Sequence, residues 1–217
     1  MTLFTVAAVR YTPPYKTTDK AQDFRLGMDG ISRWPAGTVD VKFAVNTAGS
    51  GDVDDDGYID SDDVMAALAA VDAGFNAWEI AGFTYSIVAV GDTNPCGGTS
   101  SVSWAAIDGT GGILGKTNVC RNPVTKEIEG FTITFDSSED WSNSGAGGQF
   151  DLQAMVAHEA GHVTGLDHIH DSEAKRLTMF FSAQTGNRGP RTLGCGDRLG
   201  INALYGTTLD CTTLPSD

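Results

Sequence analysis

Apolar and polar positions alternate along Val39–Asn46 (Val-Asp-Val-Lys-Phe-Ala-Val-Asn), the period-2 pattern of a half-buried strand. From Asp62 to Ala81 the period changes. Val64, Leu68, Val71, Phe75 and Trp78 recur at helical spacing and predict a long amphipathic packing helix. Thr84–Val90 and Ser100–Ala106 read as further strands, Gly112–Thr117 as another, and Gly130–Phe135 alternates cleanly. Phe150–Thr164 predicts a second helix and Asp197–Tyr205 a short last one. No repeat and no second hydrophobic centre interrupts this order. The pattern predicts an α+β domain: a twisted mixed sheet with a long packing helix, the 150–164 helix beneath the sheet, and a C-terminal helix. Residues 1–33 are proline-bearing and poorly patterned, and read as an N-terminal lead-in to a single domain at 34–217.

Composition narrows the partners. The chain has 217 residues, 41% of them hydrophobic, with 27 glycines, which fits one loop-rich globular domain. Its formal net charge of −14 argues against nucleic-acid and anionic-membrane partners. No apolar run approaches the ~20 residues that span a bilayer. The opening Met1–Val9 has no basic n-region and no small-residue cleavage site, so it does not read as a signal peptide. The four cysteines include no C-x-x-C pair. Three pairings are possible, besides four reduced thiols. Cys96–Cys120 and Cys195–Cys211 are favoured because each closes a local loop without strong secondary-structure signals. An acidic chain with an even cysteine count reads as secreted, and a monomer is expected.

Residues 158–168 read His-Glu-Ala-Gly-His-Val-Thr-Gly-Leu-Asp-His. On a helix, His158 and His162 at i and i+4 leave the same face one turn apart, so both imidazoles reach one zinc. Glu159 is badly angled to be a third ligand, but reaches a water on the open side of the metal. Gly165 lies where a helix must stop with φ > 0, letting the chain turn back and deliver His168. Three protein ligands leave one position open, the mark of a catalytic site. His170, the remaining histidine, reads as an exposed loop residue.

A second metal signal lies at 52–63 (Asp-Val-Asp-Asp-Asp-Gly-Tyr-Ile-Asp-Ser-Asp-Asp). Against the twelve-residue EF-hand loop, Asp52, Asp54 and Asp56 fall at positions 1, 3 and 5, with Gly57 at the turn. Tyr58 offers its carbonyl, and Asp60 a direct or water-mediated contact. Asp63 stands at position 12 in place of Glu, as in loops that resemble dockerin-type calcium modules. So many carboxylates in one turn repel without a cation, and calcium there would fix the start of the long helix.

The 158–168 motif is the metzincin signature. From about Trp34 to Gly206 the chain resembles one metzincin branch, the matrixins, and so a metzincin-type catalytic domain is implied. The stretch Asp108-Gly-Thr-Gly-Gly-Ile-Leu-Gly-Lys116 is similar to the matrixin calcium loop and upper-rim strand, and Phe135–Trp141 to the segment completing that site. The resemblance implies calcium held by Asp108, Asp136, Glu139 and carbonyls of Gly109, Gly111 and Ile113. It also implies a Met-turn at Met179, an Asp197 bonded to that turn, and a substrate-binding edge at Ile113, Leu114, Gly115 and Lys116. Phe181 stands where other metzincins place a ligating tyrosine. Lys116 and Thr134 stand where the histidines of the matrixin structural zinc are expected, so one zinc is predicted, with one or two calcium ions. Gly196 replaces the acid expected to pair with a freed N-terminus, and Phe180 the usual tyrosine.

The expected function is a secreted zinc-dependent endopeptidase hydrolysing peptide bonds in protein or peptide substrates by a Glu159-activated, zinc-bound water. Substrate would add antiparallel to the edge at Ile113–Lys116, and the Ser182–Arg191 loop would wall the pocket beyond the cut. Arg188 or Arg191 could reach that pocket, though two solvated arginines are the simpler reading. A calcium-stabilised zinc hydrolase of small amides or esters, or an inactive binding domain, are the alternatives. The intact Glu159 argues against the latter, and a wide strand-lined cleft would argue against the former.

Overall fold

The alternating stretch at 39–46 forms strand β2 (Asp40–Asn46), buried at Val41, Phe43, Ala44 and Val45 because neighbours cover it on both sides. The computed structural model describes residues 22–27, 30, 32–88, 96, 99–145 and 147–211, with the backbone of 4–5. The Met1–Val9 segment therefore lies mostly outside the described residues, as do Ala89 and Val90 of the expected strand Thr84–Val90. The other sheet strands are β1 (Phe4–Thr5), β3 (Thr84–Val88), β4 (Ser100–Ala105), β5 (Gly115–Arg121) and β6 (Ile128–Asp136), in the order β1-β5-β6-β4-β2-β3. Strands β3, β2, β4 and β6 run parallel, while β5 is antiparallel to β6 and β1 to β5, so the sheet is mixed.

Parallel β2 and β3 need a crossover, which helix α1 (Ser61–Asn76) supplies. Its start is capped by Asp60, whose side chain accepts from the Asp62 amide while Asp63 accepts from the Asp60 amide. The buried face is Asp63, Ala67, Ala70, Val71, Gly74 and Phe75. Val71, Phe75 and Trp78 of the predicted stripe are fully buried and Leu68 is half-buried, but Val64 is exposed, and small residues at 67, 70 and 74 complete the inward face. A Cβ on Gly74 would lie 2.5 Å from a Val156 methyl carbon, so α1 packs backbone-close on the next helix. The helix ends at Asn76, and Glu79–Ala81 is a separate 3-10 turn. By length and composition alone the 21 residues Ser61–Ala81 could cross a membrane, yet Ala67, Ala70, Val71, Phe75 and Trp78 are packed in the core.

Helix α2 (Leu152–Val163) follows a short parallel pair, β7 (Trp141–Ser142) and β8 (Phe150–Asp151). It is buried on nearly every side, with His158, Glu159 and His162 among its otherwise apolar buried residues. Phe43, Phe75 and Phe131 stack between α1 and the sheet at centroid distances of 4.4–5.7 Å. Two indoles fix α2 in place: Trp78 Nε1 donates to Ala157 O at 2.7 Å and Trp34 Nε1 to Val163 O at 3.1 Å. Helix α3 (Cys195–Tyr205) closes the domain. The disulfides are Cys96–Cys120 and Cys195–Cys211, the pairings expected, but the bridged stretches carry secondary structure: β4 and β5 in the first and α3 in the second.

Candidate metal centre and cleft

Helix α2 places His158 and His162 one turn apart, and the chain turns back through Gly165 at φ 102° to bring in His168. His158 Nδ1 lies 2.7 Å from Thr178 O, and His162 Nδ1 3.0 Å from Leu166 O. A carbonyl only accepts, so both Nδ1 atoms carry the proton and both Nε2 atoms present lone pairs. Each faces His168 Nε2, at 2.9 and 3.0 Å. One proton cannot serve both contacts, so the three nitrogens are arranged to share one cation. Three imidazole nitrogens suit zinc. Burial, then the neighbouring imidazoles, push His158 down to about 4 and His168 to about 2, which keeps their rings neutral and able to ligate.

Glu159 is buried beside them, and its Oε2 accepts from the Thr117 hydroxyl of β5 at 2.5 Å. His158, Glu159 and His168 line a cleft of about 420 Å³, with His162 behind them. One wall is Gly111–Gly115; the other is Leu177, Thr178, Phe180–Ala183 and Pro190. The expected edge Ile113–Lys116 thus borders the cleft in part: β5 begins at Gly115, because the turn through Gly111 at φ 84° precedes it. Among the described residues, β1 pairs with β5 only at Val119 and Asn118, beyond that edge.

Met179 is buried, with its sulfur packed against Gly161 of α2. Asp197 accepts from the amides of Thr178 and Met179 at 2.9 and 3.2 Å and from Gly194 at 2.8 Å, tying the start of α3 to that turn. His170 is exposed and stacks on Phe181 at 4.7 Å.

Of the six residues expected around a calcium ion at 52–63, the carboxylates of Asp52, Asp54 and Asp63 each bring an oxygen within 4.8 Å of the others. Asp52 Oδ1 is buried without a hydrogen-bond partner. Desolvation and the charges of Asp56, Asp63 and Asp52 raise the Asp54 carboxyl against a lowering bond from the Asp56 amide. Asp56 accepts from the Tyr58 amide, Asp60 caps α1, and the Tyr58 side chain is exposed. Asp108, Asp136 and Glu139 are arranged differently. They do not converge on one point among the described residues, but stitch two turns together. Asp136 accepts from the Asp108 and Ser138 amides, Glu139 from Gly111, and Asp108 from Ile113. The backbones of Gly109, Gly111 and Ile113 lie in that turn. Lys116 and Thr134 are cross-strand partners of β5 and β6.

Several residues around the site carried no sequence signal. Arg25 pairs with Asp167 at 3.2 Å, and Asp167 accepts from the His168 amide at 2.8 Å, so the lead-in braces the third histidine from behind. The Gly27 amide donates to Gly165 O at 2.7 Å. The carbonyl of Asp23 packs where a Cβ on Gly196 would stand, which leaves no room there for a side chain. Arg188 is exposed, as the solvated reading has it, whereas Arg191 is not. Its guanidinium holds the buried Asp151 carboxylate by two bonds of 2.8 and 2.6 Å and donates to Asn143 O. Desolvation of Asp151 at the helix start is what draws the arginine inward.

The family described as Matrixin matches residues 97–206. Matrix metalloproteinase-27 of Homo sapiens is 38% identical over 74 residues, covering 33% of this chain and 13% of that protein. Karilysin of Tannerella forsythia is 36% identical over 74 residues, covering 34% and 14%. Stromelysin-3 of Mus musculus is 37% identical over 109 residues, covering 50% and 20%. The matched stretches thus span a fifth or less of these relatives.

Proposed function

Because the chain belongs to the matrixin family, we propose that it is a secreted zinc-dependent endopeptidase whose single catalytic domain covers 34–217. The observation that carries this reading is the convergence of the three histidine Nε2 atoms beside Glu159, beneath a strand-bordered cleft. His158, His162 and His168 would hold one zinc. When bound, zinc supplies Lewis-acid polarisation of a carbonyl and acidification of a water. Thr178 O and Leu166 O keep the first two rings oriented through their Nδ1 protons. Glu159 takes the proton of the attacking water and returns it to the leaving amine. The outer edge at Ile113–Lys116, without a strand partner on that side among the described residues, would position an extended peptide by backbone hydrogen bonds, and the Ser182–Arg191 loop would wall the far side of the cut. An open cleft bordered by chain edge supports protein or peptide substrates over small amides. The two disulfides support an oxidising, extracellular setting. One or two calcium ions would brace the 52–63 loop and the 108–139 turns, and the protein would act as a monomer.

Glu159→Ala should keep one zinc per chain by elemental analysis and cleave casein at least ~100-fold more slowly than the parent. Casein cleavage at the parent rate would overturn this mechanism.

A further inference from the structure

Strand β5 reaches over α2 and touches Glu159 at two points on one face. Gly115 and Thr117 stand two residues apart, so they face the same way. Thr117 Oγ1 lies 2.5 Å from Glu159 Oε2 and 3.3 Å from the backbone oxygen of Glu159. A carboxylate oxygen only accepts, so the hydroxyl is the donor. Thr117 and Glu159 are both buried, at 5% and 4% exposure, so water does not compete freely for that bond. At Gly115 a Cβ would come within 2.9 Å of Glu159 Oε1. The strand thus offers the carboxylate a notch for one oxygen and a hydroxyl for the other.

We propose that Thr117 is the positioning residue for Glu159, its hydroxyl holding Oε2 so that Oε1 is the oxygen presented to the reacting water. This rests on the endopeptidase reading above. Oε1 makes no hydrogen bond among the described residues, and Glu159 lines the cleft together with His158 and His168. The proton passes from water to Oε1 and then to the leaving nitrogen, while the Thr117 proton stays on its own oxygen. Oε2 can accept from Thr117 both before and after Oε1 is protonated, so the side chain keeps one anchor throughout the cycle. The hydroxyl leaves a rotating carboxylate one orientation, which is worth turnover rather than binding.

The test compares the zinc-loaded parent with Thr117→Val, Thr117→Ser and Glu159→Gln on one fluorogenic peptide. Zinc dissociation constants and melting temperatures are measured alongside. Valine keeps the shape and removes the donor. Thr117→Val should lose about 10- to 100-fold in kcat, the loss expected for a hydrogen bond to a charged group, with KM and zinc affinity near the parent values. Thr117→Ser should recover most of the rate. Parent-like kcat in Thr117→Val, a serine variant as slow as the valine one, or a loss that follows zinc release or melting would each overturn the proposal. Failure of the endopeptidase reading is distinguishable, because the parent would then cleave no faster than Glu159→Gln, and that result would remove the proposal with it.

Discussion

Arg191 and Asp151 form a two-pronged ion pair, Nε to Oδ1 at 2.8 Å and Nη2 to Oδ2 at 2.6 Å, with the Asp151 side chain almost wholly buried. The same Asp151 accepts from the Ala154 amide at the start of α2. One carboxylate therefore joins the cap of the histidine-bearing helix to the loop that walls the cleft. Its neighbour Pro190 lines the cavity directly.

Arg191→Ala should therefore destabilise the fold by about 3 kcal/mol, since it leaves a buried charge without its partner. Arg191→Lys should recover little, because an ammonium cannot make both bonds. Chemical denaturation of the three proteins checks this, and KM for a peptide spanning the cleft should rise while zinc content stays at one per chain. An alanine variant as stable as the parent would show the pair to be idle.

A second outcome concerns pH. Burial pushes Asp197 up to about 6 from its ordinary 3.8, outweighing the Thr178, Gly194 and Met179 amides that favour its charged form. A group raised on folding stabilises the native state below its unfolded pKa, and that contribution is lost as pH rises through the folded value. On the order of 3 kcal/mol should therefore disappear between about pH 4 and pH 6. Asp197→Asn removes the titration, so the stability of the parent relative to this variant should fall across that window. Equal slopes for the two proteins in urea denaturation from pH 4 to 7 would contradict it.

Calcium should act on stability. The raised Asp54 carboxyl and the unpartnered Asp52 Oδ1 are both relieved by a cation in the 52–63 loop. At calcium 100-fold above its dissociation constant, melting should rise by about 5–10 °C over protein treated with a chelator selective against zinc release. Asp54→Asn should shrink that increment. A melting curve indifferent to calcium would remove the ion from both turns.

The legible part of the fold was its periodic part. Strands β2, β4 and β6 and helices α2 and α3 lie within a few residues of their predicted ends, because alternation and helical spacing report burial directly. Helix α1 is legible in its spacing, but its first large apolar position, Val64, faces solvent, while Gly74 is where α1 closes on Val156 of α2. Strand β5 starts later than Gly112, since the glycines at 111 and 112 belong to a turn stitched by carboxylates from distant positions.

By itself the sequence determined the chemistry that local spacing carries: two histidines one turn apart, a glycine able to take φ 102°, and a third histidine just beyond it. These lie within eleven residues, so helix geometry alone brings two of them together and the turn supplies the third. Only the tertiary structure decided what surrounds them. Thr117 meets Glu159 across 42 residues, Arg191 meets Asp151 across 40, and Arg25 reaches Asp167 from the unpatterned lead-in. Such partners are chosen by which strand edge, loop and segment pack onto one buried helix. Burial removes the water that would otherwise satisfy a carboxylate, and the nearest donor in space takes its place wherever it stands in the chain.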